Sequence, residues 1–78
     1  MSSAVFDQVR TMASDLFGVS PEQVNAASSP ETIETWDSIQ HLNLVLALEE
    51  KFGVRLSPEE IEQMKSIEEV TRLVEGKL

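Results

Sequence analysis

The chain has 78 residues, with no cysteine, a single histidine and a net charge of −8. These features exclude a disulfide framework, a thiolate metal site and a cysteine nucleophile, and they argue against a structural zinc site. The segment MSSAVFDQVR at the start lacks the pattern of a signal peptide, and no stretch is long enough to span a membrane. We therefore expect one monomeric, cytoplasmic domain, residues 1–78.

The negative charge is concentrated in one part of the chain. The whole net charge of −8 arises between Glu22 and Glu69, whereas the two flanking segments together are neutral. Such a field repels nucleic acid and anionic membranes, so we expect neither as a partner, and it attracts basic protein surfaces. Solubility alone is an equally good explanation of this charge.

Apolar residues recur at helical spacing from about residue 3 to residue 17, which predicts a first amphipathic helix that ends at Gly18. The segment SPEQ at residues 20–23 has the cap and proline of one further helical turn. Residues 25–36 lack periodicity and carry loop-forming residues. We expect this loop to be anchored by Ile33 and Trp36.

A second helix is predicted from Ser38 to Phe52, because its apolar residues are periodic and a glycine follows it. The segment SPEEI then starts a short helix over residues 58–65. Ser66 opens the last helix, which reaches Gly76. The fold class is therefore all-α, a bundle of three longer helices plus one short helix.

The first turn of the second helix contains a serine, Ser38, without an evident structural role. If Asp37 is the N-cap, Gln40 completes a capping box and the Ser38 hydroxyl points to solvent; alternatively, Ser38 is itself the cap. A phosphate attached there would lie near unpaired backbone N–H groups at the positive end of the helix dipole. A hydrolytic pair of Ser38 with His41 lacks a third group and an oxyanion hole. We expect His41 to be solvated or stacked on Trp36.

The remaining side chains of this helix divide into two faces. The predicted core stripe has Leu44 at its edge and consists of Leu42, Val45, Leu48 and Phe52. Ile39 and Leu46 lie to one side of it with Asn43 and Glu50, bordered by Glu49. Apolar residues ringed by carboxylates predict a small protein-docking patch, although a broad core stripe would also explain them.

The run DSIQHLNLVLALEEKFGV resembles the phosphopantetheine attachment site of acyl carrier proteins. The resemblance extends over nearly the whole chain, from the first helix ending in LFGV to the last helix starting at SIEEV. It implies a four-helix acyl-carrier-like bundle that is not an enzyme. A phosphopantetheinyl transferase would move the 4′-phosphopantetheine of coenzyme A onto Ser38. The arm's thiol would then carry an acyl or aminoacyl group as a thioester between partner enzymes.

The same resemblance implies roles for two further sets of residues. Basic, partly apolar surfaces of acyl-loading and acyl-processing enzymes would meet a docking face made of Asp37, Ile39, Asn43, Leu46, Glu49 and Glu50. The cargo would slip between the helices, into a lining made of Val45, Leu48, Phe52, Ile61, Met64 and Ile67. These last residues would form the core in any case.

The sequence departs from the housekeeping fatty-acid carriers in two places. Glu34-Thr35-Trp36 precedes Asp37 without the usual glycine, and Asn43 stands where a docking glutamate is common. We therefore expect a free-standing carrier of a dedicated pathway, such as specialised-metabolite, polysaccharide or amino-acid modification. One alternative is a peptidyl or aminoacyl carrier that an adenylating enzyme loads.

A second alternative is an unmodified acidic adaptor. It would bind a basic partner through Ile39 and Leu46 and would not need Ser38. Mimicry of nucleic acid by the acidic face is a remoter form of this alternative.

Overall fold

The computed structural model describes residues 3–78, and over this range the chain forms four α-helices and one 3₁₀ turn. The helices are α1 (Ser3–Phe17), α2 (Ser38–Phe52), α3 (Pro58–Gln63) and α4 (Ile67–Lys77). The 3₁₀ turn is Pro21–Gln23, between α1 and α2. The predicted all-α fold with three longer helices and one short helix is confirmed. The short helix ends two residues earlier than predicted, and α4 continues one residue further.

One apolar core lies between the helices, and α1 packs against both α2 and α4. In α1 the core residues recur every fourth position, as the helical period requires. The loop contributes both of its predicted anchors, since Ile33 and Trp36 are buried. The core consists of Val5, Val9, Ala13, Phe17, Val24, Ile33, Trp36, Leu44, Val45, Leu48, Leu56, Met64, Ile67, Val70 and Val74.

Helices α1 and α2 end in the same way. Gly18 and Gly53 both have a positive φ, of 69° and 66°, which a glycine adopts without steric cost. The Gly18 N–H donates to the Ser14 carbonyl at 3.0 Å, and the Gly53 N–H donates to the Glu49 carbonyl. These glycines stop the helices where the chain must turn.

The long loop before α2 is fastened at both ends. At its start, the carbonyls of Ala26 and Ser28 accept hydrogen bonds of 2.9 Å from the first-turn N–H groups of Glu68 and Ile67 in α4. At its end, the Thr35 hydroxyl donates to the Phe17 carbonyl at 2.6 Å. The loop therefore satisfies orphan backbone groups of two helices and holds the start of α2 in place.

The core face of α2 differs from the prediction at one residue. Leu44, Val45 and Leu48 are buried, whereas Leu42 is 56% exposed, so the prediction of Leu42 as a core residue is wrong. At 100° per residue, the centre of the buried face lies near Leu48 and carries His41, which is half-buried. The polar His41 occupies part of the surface that the sequence pattern assigned to leucine.

The N-terminus of α3 carries a complete capping box. The Ser57 hydroxyl accepts from the Glu60 N–H, and Glu60 Oε1 accepts from the Ser57 N–H at 2.8 Å. Glu60 Oε2 lies 2.9 Å from Lys77 Nζ in α4. The Ser57 backbone N–H, followed by Lys77, holds the pKa of Glu60 below its ordinary value.

This lowered pKa predicts part of the protein's acid sensitivity. A carboxyl with a depressed pKa in the folded state adds stability above its unfolded pKa, and that stability is lost as the pH falls through the folded pKa. Glu60→Gln keeps an acceptor for Ser57 but removes the charge, so its free energy of unfolding should fall less in acid than that of the parent. Urea unfolding across the acid range measures this, with exposed Glu59→Gln as control. Equal losses in parent and Glu60→Gln would contradict the assignment.

Candidate functional site

Asp37, not Ser38, caps α2. The backbone of Asp37 is extended, its Oδ1 accepts from the Gln40 N–H at 2.9 Å, and its carbonyl accepts from the His41 N–H at 2.8 Å. Ser38 is therefore the first helical residue, and its side chain is exposed. Within residues 3–78 no partner hydrogen-bonds the Ser38 hydroxyl. The alternative that Ser38 is the cap is wrong, and its hydroxyl is available for chemistry.

The predicted capping box at this helix does not form. The Gln40 side chain does not reach back to Asp37; its Oε1 accepts from Asn43 Nδ2 at 3.1 Å. The Asp37 N–H instead donates to the Thr35 carbonyl at 3.0 Å. Because the Asp37 N–H is already bonded within the loop, it does not donate to the Gln40 side chain, and the second hydrogen bond of a capping box is missing.

His41 joins the loop before α2 to α3. Its Nδ1 accepts from the Trp36 indole N–H at 2.9 Å, and its Nε2 lies 3.0 Å from the Ile61 carbonyl oxygen. Because the indole only donates and the carbonyl only accepts, the neutral ring carries its hydrogen on Nε2. The two rings also stack, with centroids 6.0 Å apart, which is the second of the two alternatives expected for His41. Both ring nitrogens are engaged, so His41 is not available as a base for Ser38.

Trp36 extends this connection to α1. Its ring stacks on Phe17 with centroids 5.1 Å apart and is only 2% exposed. An aromatic pair of this kind contributes about 0.5–1.5 kcal/mol beyond its buried area. The contacts therefore link four parts of the chain around the position of Ser38: α1 through Phe17, the loop through Trp36, α2 through His41 and α3 through Ile61.

A surface groove of about 570 Å³ opens directly beside Ser38. Apolar groups dominate its lining, and the serine stands at its rim next to Asp37. The sequence analysis missed this groove, because Pro30 comes from the loop and Leu42 was assigned to the core. The lining residues are Pro30, Trp36, Asp37, Ser38, His41 and Leu42.

The predicted docking face is largely solvent-accessible. Ile39 is 72% exposed and Leu46 is 63% exposed, and both lie on the surface as expected. The remaining members except Glu49 are also exposed: Asp37, Asn43 and Glu50. Glu49 is half-buried, and its Oε2 accepts from the Leu56 N–H at 2.9 Å, which ties α2 to the segment before α3. The docking role of these residues stays a prediction.

The predicted cargo lining lies in or against the core. Val45, Leu48, Met64 and Ile67 are buried, whereas Phe52 and Ile61 are half-buried and pack against the core. Their packing confirms their part in the core, and their contact with cargo stays a prediction. Across residues 3–78, no three acidic or histidine side chains form a group that suits a metal ion. None of the described helices is both long and apolar enough to cross a membrane.

Comparison with known proteins places this geometry in a family. Residues 7–74 match the family model described as the phosphopantetheine attachment site. The acyl carrier protein of Campylobacter curvus is 39% identical over 72 residues, which is 92% of this chain and 94% of that protein. The acyl carrier protein of Thermosynechococcus vestitus is 32% identical over 76 residues, 97% of this chain and 94% of that protein. The acyl carrier protein of Wolinella succinogenes is 33% identical over 72 residues, which is 92% of this chain and 95% of that protein.

A protein with these features is a phosphopantetheine-bearing carrier. The chain belongs to the acyl carrier protein family. Its prosthetic group is a covalently attached 4′-phosphopantetheine.

The residues around Ser38 fit such a group. The N–H groups in the first turn of an α-helix have no intrahelical acceptor, and in α2 the Gln40 N–H is bonded to Asp37 and the His41 N–H to the Asp37 carbonyl. The N–H groups of Ser38 and Ile39 remain, at the positive end of the helix dipole, where a phosphate is favoured. The exposed hydroxyl and the adjoining groove leave room for a large substituent.

His41 should contribute to the stability of the fold through its two hydrogen bonds. His41→Leu leaves the Trp36 indole N–H without an acceptor and removes one of the two hydrogen bonds to the Ile61 carbonyl, which still accepts from the Met64 N–H. We therefore expect a loss of about 1–3 kcal/mol. Chemical denaturation followed by circular dichroism measures it. The control is Gln40→Leu, whose bond to Asn43 is exposed and should matter by less than about 0.5 kcal/mol. Equal effects of the two variants would contradict the bridging role.

Proposed function

We propose that this chain, as one carrier domain, holds an acyl or aminoacyl group as a thioester on an arm attached to Ser38 and passes it between partner enzymes. The observation that carries the proposal is the exposed, unbonded Ser38 hydroxyl at the first position of α2, capped independently by Asp37. It lies inside the segment that matches the phosphopantetheine attachment family. The attached arm supplies the thiol that forms the thioester.

The chain's part in its own modification is to present a nucleophile. The Ser38 oxygen forms the new bond to the phosphorus of coenzyme A that bears pantetheine, the bond from that phosphorus to the nucleotide half breaks, and adenosine 3′,5′-bisphosphate leaves. Both nitrogens of His41 are engaged, so this histidine does not take the hydroxyl proton, and the proposal assigns that proton to a base of the transferase. This arrangement supports a carrier that has no catalytic residue of its own.

The acidic surface supports partners with basic docking surfaces. A phosphopantetheinyl transferase and the enzymes that load and process the cargo must all approach Ser38, and charge complementarity speeds such brief encounters. Ile39 and Leu46 lie about two turns apart on the same strip of α2 and supply exposed apolar contact within the docking face. The absence of a docking glutamate at Asn43 supports partners of a dedicated pathway rather than those of housekeeping fatty-acid synthesis.

Intact-protein mass spectrometry tests the attachment site. After incubation with coenzyme A and a broad-specificity phosphopantetheinyl transferase, the parent should gain the mass of one phosphopantetheine and Ser38→Ala should gain none. Ser20→Ala is the matched control, since Ser20 also lies at the start of a helical turn with an exposed side chain. Circular dichroism should show that all three proteins fold. An unmodified parent beside a known carrier that is modified in the same reaction, or a modified Ser38→Ala, would contradict the proposal.

The docking face makes a separate kinetic prediction. Glu50→Lys places a positive charge in that face, so the kcat/KM of the transferase should fall by about two- to fivefold at low salt, since an exposed ion pair is worth up to about 1 kcal/mol. Asp7→Lys changes the net charge equally, but Asp7 lies on α1, outside the docking face, in a groove that Lys51 also lines. It should have a smaller effect. Equal effects at all salt concentrations would show that only net charge matters.

A further inference from the structure

We infer that the groove beside Ser38 is the resting site of the phosphopantetheine arm, and that Trp36 and Leu42 bind the arm's apolar part. This inference rests on the proposed attachment at Ser38 and adds a binding site for the arm. The groove lies on the surface of α2, outside the predicted cargo lining between the helices, with which it shares no residue.

The lining of the groove selects an apolar occupant. Trp36 lines the groove although it is only 2% exposed, so it forms the floor, and Leu42 is 56% exposed and forms a wall. Most polar atoms of the lining away from the attachment point are already used: the indole N–H and both nitrogens of His41 are hydrogen-bonded, and Asp37 Oδ1 accepts from the backbone. The free Ser38 N–H lies at the attachment point itself. Beyond the attachment point, an occupant finds carbon surface rather than free donors. Burial of that surface favours methyl and methylene groups by about 25 cal/mol per Å².

The attachment point identifies which occupant this is. Ser38 lines the groove, so whatever is bonded to its oxygen starts at the rim. From Ser38 to Leu42 the helix rises about 6 Å, a distance that the gem-dimethyl end of a pantetheine chain spans. A tethered group also has an effective concentration of about millimolar, which allows weak apolar contacts to hold it. The arm's amide groups remain on the open side of the groove, in water.

The floor of the groove is held in shape before the arm is attached. Trp36 contacts the rings of Phe17 and His41, whose centroids are 5.1 and 6.0 Å away, and it donates to His41. The bond of His41 to the Ile61 carbonyl fixes the imidazole in turn. Binding to a site that is already in its bound shape costs less free energy. Release of the arm to a partner enzyme therefore requires only that the arm leave the surface, with no opening of the core.

The test compares spectra of the apo protein with those of the protein modified at Ser38. Trp36 is the chain's single tryptophan, so its indole N–H gives one assigned NMR signal. Attachment of the arm should shift this signal and the Leu42 methyl signals, and should leave the methyls of Leu46 and Met64 unshifted. Leu42→Ser should remove most of the Trp36 shift. Leu46→Ser is the matched control, an exposed leucine one turn further along α2 and outside the groove, and it should leave that shift intact.

Three other results overturn the inference. A modified protein whose Trp36 and Leu42 signals do not move has an arm that is free in solvent. Shifts concentrated at Met64 and Val45 place the arm between the helices. A Trp36 shift that Leu42→Ser and Leu46→Ser reduce equally does not arise in the groove. Mass spectrometry of each sample separates these results from failure of the proposed function, in which no arm is attached to Ser38.

Discussion

The region around Ser38 depends on one chain of contacts, in which the Trp36 indole donates to His41 and His41 bridges to the Ile61 carbonyl. Together with the Trp36 stack on Phe17, it ties the end of α1, the loop, the start of α2 and the middle of α3 into one unit. The buried indole N–H needs an acceptor, and a neutral imidazole supplies it while its other nitrogen donates to the Ile61 carbonyl, which also accepts from the Met64 N–H. The histidine therefore has a structural task, although it stands three residues from a free serine.

This arrangement separates the structural groups from the reactive one. Asp37 caps α2, Thr35 holds the loop to α1, and His41 connects α2 to the loop and to α3. The Ser38 hydroxyl therefore makes none of the hydrogen bonds that hold the fold. Removal or modification of that hydroxyl should leave the packing unchanged. A carrier needs this independence, because it must keep the same surface through attachment, loading and unloading. Under the proposed function, the acidic exposed face provides recognition and partner enzymes provide the chemistry.

The sequence predicted the helices well because their signals are local. Gly18, Gly53 and the cap residue Ser57 mark boundaries through backbone conformation and hydrogen bonds within a few residues. The exposed hydroxyl of Ser38 followed from the same rules, once Asp37 was taken as the cap. The resemblance of the run around Ser38 to acyl carrier proteins added the fold and the carrier role, which the family match confirms.

The remaining features depend on tertiary contacts that periodicity does not contain. Leu42 was misplaced because α2 is apolar over a wide arc, and a polar residue, His41, fills part of the true core face. A helical pattern does not show that a histidine on the core face will find hydrogen-bond partners for both of its ring nitrogens. The groove was missed for a related reason. Pro30 comes from a loop without periodicity, and the packing of Trp36 places that loop beside Ser38.

The most direct test of the account is the position of the arm on the modified wild-type chain. Proteolysis followed by tandem mass spectrometry separates Ser38 from the nearby Ser28 and Ser29, of which Ser28 is buried and Ser29 lies within the loop. The account predicts that the fragment ions assign one phosphopantetheine to Ser38 and none to the other two residues. Attachment at Ser28 or Ser29, or an unmodified Ser38 after a transferase has fully modified another carrier, would contradict it.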